Sequence, residues 1–117
     1  MAKFYYLGTC NTCRRILGEL GERPDLETID IKERPLTGAE IDRMAELAGG
    51  YEALFSRRAR KYRSEGLADR RLTEGDYRDL ILREYTFLKR PVLLTDGEVF
   101  VGSAKQTVTA AKTALDR

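Results

Sequence analysis

Two thiols three residues apart hold the clearest chemistry in this chain. Cys10 and Cys13, the two cysteines of the 117-residue sequence, enclose Asn11 and Thr12 as a CxxC motif. The thiolate is the nucleophilic form of cysteine, and the local field sets how much of it is present. Phe4-Tyr5-Tyr6-Leu7 ahead of the motif is short, apolar and β-prone, and Gly8-Thr9 breaks it. Ile16, Leu17 and Leu20 behind it fall at helical spacing. The motif is therefore expected at a strand-to-helix turn, where unpaired N–H groups and the helix dipole favour a thiolate and can bring a cysteine pKa from about 8.5 to roughly 3.5–7.5. Two thiols so placed can also close a disulfide, which makes redox or thiolate chemistry the leading expectation.

Other uses of the pair fit less well. A structural zinc site takes four Cys or His ligands; this sequence has two Cys and no His, so no metal is expected. A structural disulfide around so short a loop constrains the unfolded chain little. Two inert buried cysteines are the remaining alternative.

The elements that must position the motif belong to one domain, since 117 residues can build a single core but not two. Hydrophobic content of 42% with 34% charged residues describes a globular chain. No stretch approaches the ~20 apolar residues of a membrane span, and the N-terminus lacks a signal-peptide pattern. A cytoplasmic setting without membrane contact is expected, and there a CxxC reads as catalytic or redox-sensing. The net charge of +2 is too small to argue for direct nucleic-acid binding. Charge is concentrated, however. Residues 57–71 carry seven cations against two acids, a local +5. Most of these arginines are expected on a solvated face. A subset turned towards Cys10 would make an oxyanion pocket, because guanidinium forks match phosphate-like and carboxylate oxygens.

Further along, Gly21 and Pro24 mark a turn, and Leu26 to Ile31 alternates as a second strand. Thr37-Gly38-Ala39-Glu40 has capping-box spacing ahead of a helical stripe through Ile41, Met44, Ala45 and Leu47, which Gly49-Gly50 ends. Tyr51, Leu54, Phe55 and Tyr62 continue in helical register to Gly66, and Thr73 is the expected N-cap of a third helix with Tyr77, Leu80, Ile81 and Tyr85 inward. Pro91 opens the strand Val92 to Thr95, and its X-Pro bond is a candidate for the cis isomer. Asp96-Gly97 is a hairpin signal before Val99-Phe100-Val101, and Ser103 is the expected cap of a last amphipathic helix through Val108, Ala111 and Leu115. No GxGxxG, Walker-type loop or ligand cluster is present. The order is βαβ, a helical block, then ββα: an α/β chain on the thioredoxin-like plan, with a core of about residues 1–36 and 86–117 and a helical insertion of about residues 37–85. The hairpin argues against a classical doubly wound sheet, in which helices would separate all strands.

Phe4 to Arg15 around the CxxC, Gly50 to Arg58, and Leu88-Lys89-Arg90-Pro91-Val92-Leu93 with Val101-Gly102 together resemble the arsenate reductase/Spx family of thioredoxin-like proteins. The resemblance runs in order along nearly the whole chain. It implies Cys10 as the catalytic thiolate and Arg90, in the Arg-Pro motif, as an oxyanion ligand. Arg58 fits the arginine of the Spx-like Asn-Thr-Arg or Ser-Thr-Arg segment. Arg14 and Pro91, from the matching motifs, join Arg58 as expected substrate-binding residues. The chain departs from glutaredoxin-coupled arsenate reductases at three places. It has a second cysteine, it has Ser56 where they place their insertion arginine, and it has Gly102 near another of their arginines.

The expected activity is that of an arsenate-reductase-like or glutaredoxin-like thiol oxidoreductase, with Cys13 resolving the intermediate formed on Cys10. The substrate would be arsenate, a glutathione mixed disulfide or another oxidised thiol. No bound cofactor is expected; the resemblance implies glutathione or a thioredoxin/glutaredoxin-type protein as reductant. The alternative is a redox-switched transcriptional regulator of Spx type. It would bind RNA polymerase through the C-terminal domain of the polymerase α-subunit. Gly50 aligns with the interface glycine of that branch.

Overall fold

The computed structural model describes residues 2–117. The chain forms two compact units, one made of the residues up to Pro35 together with Arg90–Arg117, the other of Leu36–Lys89.

The first unit is built on a four-stranded sheet. Its strands are β1 (Ala2–Tyr6), β2 (Leu26–Asp30), β3 (Val92–Leu94) and β4 (Val99–Val101), in the order β2-β1-β3-β4. β1 runs parallel to β2, with Phe4 opposite Thr28, and antiparallel to β3, with Phe4 opposite Leu93. β3 and β4 are antiparallel, with Leu93 opposite Phe100. The β1–β2 crossover carries helix α1 (Asn11–Leu20), and α5 (Lys105–Leu115) closes the chain. Because side chains alternate across a strand, Ala2, Phe4, Leu93 and Phe100 share one face. There they pack with Ile16 and Leu20 of α1 and with Val108, Ala111 and Leu115 of α5. Tyr5, Ile29 and Val92, on the opposite face, are buried too. The hairpin turn closes where Asp96-Gly97 signals it, with the Thr95 N–H donating to the Glu98 carbonyl at 2.9 Å.

The second unit holds α2 (Gly38–Ala48), α3 (Arg60–Ser64) and α4 (Glu74–Arg83), with single 3₁₀ turns at Glu52–Leu54, Leu67–Asp69 and Tyr85–Phe87. Thr37 and Thr73 both form complete capping boxes, with Glu40 and Asp76 as reciprocal partners. Phe55 centres an aromatic cluster with Tyr77 (ring centroids 4.9 Å apart), Phe87 (5.1 Å) and Tyr62 (5.9 Å).

Three local expectations give way. Residues 51–66 are not one helix: Phe55 is extended and bridges Leu88, while Ser56 and Lys89 donate to the Phe87 and Leu54 carbonyls at 2.7 and 2.8 Å. Tyr85 falls outside α4 because Glu84 turns extended and its carboxylate accepts from the Thr86 N–H instead, opening a new turn. α5 starts from Ala104, with no side-chain cap. Ser103 sits one residue before the position from which a hydroxyl reaches the first-turn N–H groups.

Candidate active site

Cys10 is the N-cap of α1, in extended conformation (φ −89°, ψ 115°). Its N–H donates to the Leu7 carbonyl at 2.9 Å and closes a turn, while its carbonyl accepts the Arg14 N–H at 3.1 Å. The N-cap position sets the Cys10 side chain at the end of the helix where first-turn N–H groups are left unpaired; it makes no regular cap hydrogen bond, but the Cys13 and Thr12 backbone N–H groups favour its ionised form. No acidic residue stands in that turn to oppose a negative charge. Cys13 lies in the first turn of α1, wholly buried. The two cysteines are 3.5 Å apart, both are free thiols, and the Cys13 thiol donates to the Cys10 sulfur.

These contacts separate the two thiols electrically. For Cys10 the largest single influence is partial burial, which opposes ionisation. The Cys13 N–H, the Cys13 thiol, the Thr12 N–H and the Arg90 guanidinium together outweigh it, and the pKa ends below the ordinary thiol value. Burial pushes the Cys13 pKa up to about 11, helped by its bond to Cys10 and by the charge on Cys10, while Leu7 and Arg90 offset part of the rise. The arrangement therefore favours the thiolate form at Cys10 and the protonated form at Cys13.

Arg90 comes from the segment entering β3. Its Nε is buried and its charge favours both thiolates. The Arg90–Pro91 bond is cis, and the Pro91 carbonyl accepts the Gly102 N–H at 2.8 Å. Gly102 itself has φ +96°, a conformation that favours glycine. Cys10, Cys13 and Arg90 thus act on one another within the first unit, with Pro91 next to Arg90 in the chain. Arg14, exposed on α1, hydrogen-bonds Asn11 Oδ1 and lines an open groove with Leu17, Pro24 and Leu26.

Arg58 belongs to the second unit, where its N–H donates to Ser56 Oγ at 3.4 Å and the residue is exposed. Several neighbours in the basic run are held within that unit. Arg57 pairs with Glu52 at 2.7 Å and lies over the Tyr77 ring, and Lys61 pairs with Glu84 at 2.5 Å.

Two contributors carry no residue-type signal. The N–H groups of Thr12 and Cys13 act whatever their side chains. Asp30, at the end of β2, accepts the Gly8 N–H at 3.2 Å, a contact that only strand register brings about. Among the described residues no group of three or more His, Cys, Asp or Glu is placed to hold a metal ion, and no helix is long and apolar enough to cross a membrane.

Residues 5–111 match the model of the ArsC family. The chain belongs to the ArsC family. No curated protein matches the sequence significantly, so its relatives are found among solved structures. One is a possible arsenate reductase from Streptococcus mutans UA159 (29% identity, 90% of this chain and 92% of that one covered, TM-score 0.71). A second is an arsenate reductase from Vibrio cholerae (18%, 94% and 96%, 0.79). A third is an ArsC-related protein from Brucella melitensis (24%, 93% and 92%, 0.68). The last two establish the thioredoxin-like fold of this ArsC family chain over nearly its whole length.

Proposed function

We propose that this ArsC family protein is a thiol oxidoreductase in which Cys10 attacks, Cys13 resolves and Arg90 stabilises negative charge. The observation that carries the reading is the opposed tuning of two cysteines 3.5 Å apart, one held below the ordinary pKa and the other raised to about 11. Two titratable groups whose environments push their pKa values apart define a nucleophile and a proton holder. With a disulfide R–S–S–R, the Cys10 thiolate attacks one sulfur, forms Cys10–S–S–R and expels RS⁻. The Cys13 sulfur then attacks the Cys10 sulfur and yields the Cys10–Cys13 disulfide, the second RS⁻ leaving with the Cys13 proton as RSH. With arsenate, Cys10 displaces water to give a thiol–arsenate ester. Attack by Cys13 on the Cys10 sulfur then releases arsenite, the two electrons passing from the thiols to arsenic.

Both routes end at the same Cys10–Cys13 disulfide, which glutathione or a thioredoxin/glutaredoxin-type protein reduces by exchange. The cytoplasm, with its thiol reductants, is the setting in which that cycle turns over. Arg90, and Arg58 and Arg14 as substrate-binding residues, would meet the anionic oxygens of arsenate or the carboxylates of glutathione, for which guanidinium is suited.

The test is a mass-mapped titration of the reduced protein with oxidised glutathione and, separately, with arsenate plus glutathione. The expected result is modification at Cys10 first, followed by loss of two hydrogens as the Cys10–Cys13 bridge forms. Labelling of Cys13 before Cys10, or no reaction at Cys10 with either reagent, overturns the reading.

A further inference from the structure

We propose that Asp30 is a positioning residue for Cys10, its carboxylate fixing the turn that carries the nucleophile into α1. The inference rests on the reading of Cys10 as the reacting thiolate. Leu7 to Cys10 form a turn closed by the Cys10 N–H on the Leu7 carbonyl. Inside that turn the Gly8 N–H donates to Asp30 Oδ2 at 3.2 Å, and the other oxygen, Oδ1, accepts the Lys32 N–H at 3.0 Å. One carboxylate thus fastens the chain leaving β1 to the chain leaving β2. It acts just beyond the last strand pair, Tyr6 opposite Asp30, where the Ile31 N–H still donates to the Tyr6 carbonyl at 2.9 Å.

Gly8 is fitted to this contact. A Cβ at that position would lie 2.6 Å from Asp30 Oδ2, closer than real Cβ contacts come, so a larger residue would make the carboxylate shift from its present place. The pair is separated by 22 residues in sequence. The consequence for Cys10 is geometric. Its sulfur gains from the N–H groups of Thr12 and Cys13 only while the turn delivers the N-cap in its extended conformation. A carboxylate's charge works against a thiolate, so the benefit of Asp30 to this site is its hydrogen bond and not its field.

That opposition makes the test decisive. The Cys10 titration is followed by thiolate absorbance, and its alkylation by iodoacetamide is mapped by mass, in the wild type, Asp30→Ala and Gly8→Ala, with urea unfolding measured alongside. Asp30→Ala removes acceptor and charge together, whereas Gly8→Ala keeps every charge and displaces Oδ2 from its present contact. Positioning requires both variants to raise the Cys10 pKa by about half to one unit, leaving about three- to tenfold less thiolate near neutral pH. A lowered pKa in Asp30→Ala, or unchanged values in the folded variants, overturns the proposal while leaving the thiol mechanism standing. If Asp30→Ala does not fold, Gly8→Ala decides alone. An ordinary pKa for Cys10 in the wild type defeats the thiol mechanism itself, and this inference with it.

Discussion

Buried Cys13 and Cys10, the N-cap of the same helix, are 3.5 Å apart, and their side chains interact with the Cys13 thiol as donor. The one contact acts on both partners, helping Cys10 to ionise and helping Cys13 to keep its proton. The proposed nucleophile and the proposed resolving group are thereby distinguished before any substrate arrives, although the residue type is the same.

Replacing Cys13 by alanine removes that donor while leaving the Thr12 and Cys13 N–H groups in place. Hydrogen bonds to charged groups are worth about 1.5–3 kcal/mol and thiols are weak donors, so the Cys10 pKa is expected to rise by about half to one unit. Thiolate absorbance measures the shift. The same variant treated with oxidised glutathione should stop at the Cys10 mixed disulfide, seen as a stable adduct by mass. An unshifted titration would remove Cys13 from the account of Cys10 acidity.

Arg90 contributes charge from outside α1. Arg90→Ala is expected to raise the Cys10 pKa and slow iodoacetamide alkylation at pH 7 by about three- to tenfold, the size of a half- to one-unit shift. Arg90→Lys, which keeps the charge but not the planar fork, should recover most of the thiolate. It should recover less of any turnover that needs two parallel hydrogen bonds to an oxyanion. Equal loss in both variants for thiolate formation would show that the side chain acts through packing.

What could be read from the sequence was local. The CxxC at a strand-to-helix turn, the Thr37 capping box, the Thr73 N-cap and the Asp96-Gly97 hairpin are each signalled within a few residues, and each stands in the structure. The segment after Gly50 failed for the opposite reason. Its apolar residues repeat at helical spacing, but Phe55 spends its backbone on Leu88, a pairing set by tertiary structure. The same limit applied at the site. Cys10 could be picked out by type, whereas the Asp30–Gly8 bond depends on register between β1 and β2 and has no local signature.

Gly50 has a structural role within the second unit that is separate from any partner. It adopts φ +149°, and a Cβ there would lie 2.6 Å from Glu74 Oε1. The Glu74 carboxylate accepts the Tyr51 and Glu52 N–H groups at 2.7 and 3.1 Å. Gly50→Ala is therefore expected to lower the unfolding free energy by about 1–3 kcal/mol, the usual cost of a strained backbone position, as read by urea denaturation. A fully stable Gly50→Ala would return this glycine to the regulator reading. Pull-down with the isolated C-terminal domain of the RNA polymerase α-subunit, in both redox states, would then be the measurement to make.

Alkaline stability offers a test that needs no substrate. The Cys13 pKa is about 11 in the folded protein against about 8.5 for an unperturbed thiol. Below about 8.5 both states hold the proton and the full stabilisation is present. Between about 8.5 and 11 the unfolded chain binds fewer protons than the folded one, so stability falls as pH rises. The loss accumulates to a few kcal/mol at about 1.4 kcal/mol per unit. Cys10 acts with the opposite sign and at lower pH, since its pKa is depressed by folding: its contribution is present above the unfolded value and is lost as pH falls. Lys61, raised chiefly by its hydrogen bond to Glu84, also loses its contribution in alkali, but it does so equally in a Cys13→Ala variant. Urea unfolding at pH 8 and pH 10.5 should therefore show a steeper alkaline loss in the wild type than in Cys13→Ala, even though the variant starts lower for want of a buried side chain. Parallel losses in the two proteins would mean that the folded state does not hold the Cys13 proton, and the division of labour between the two thiols would fall with it.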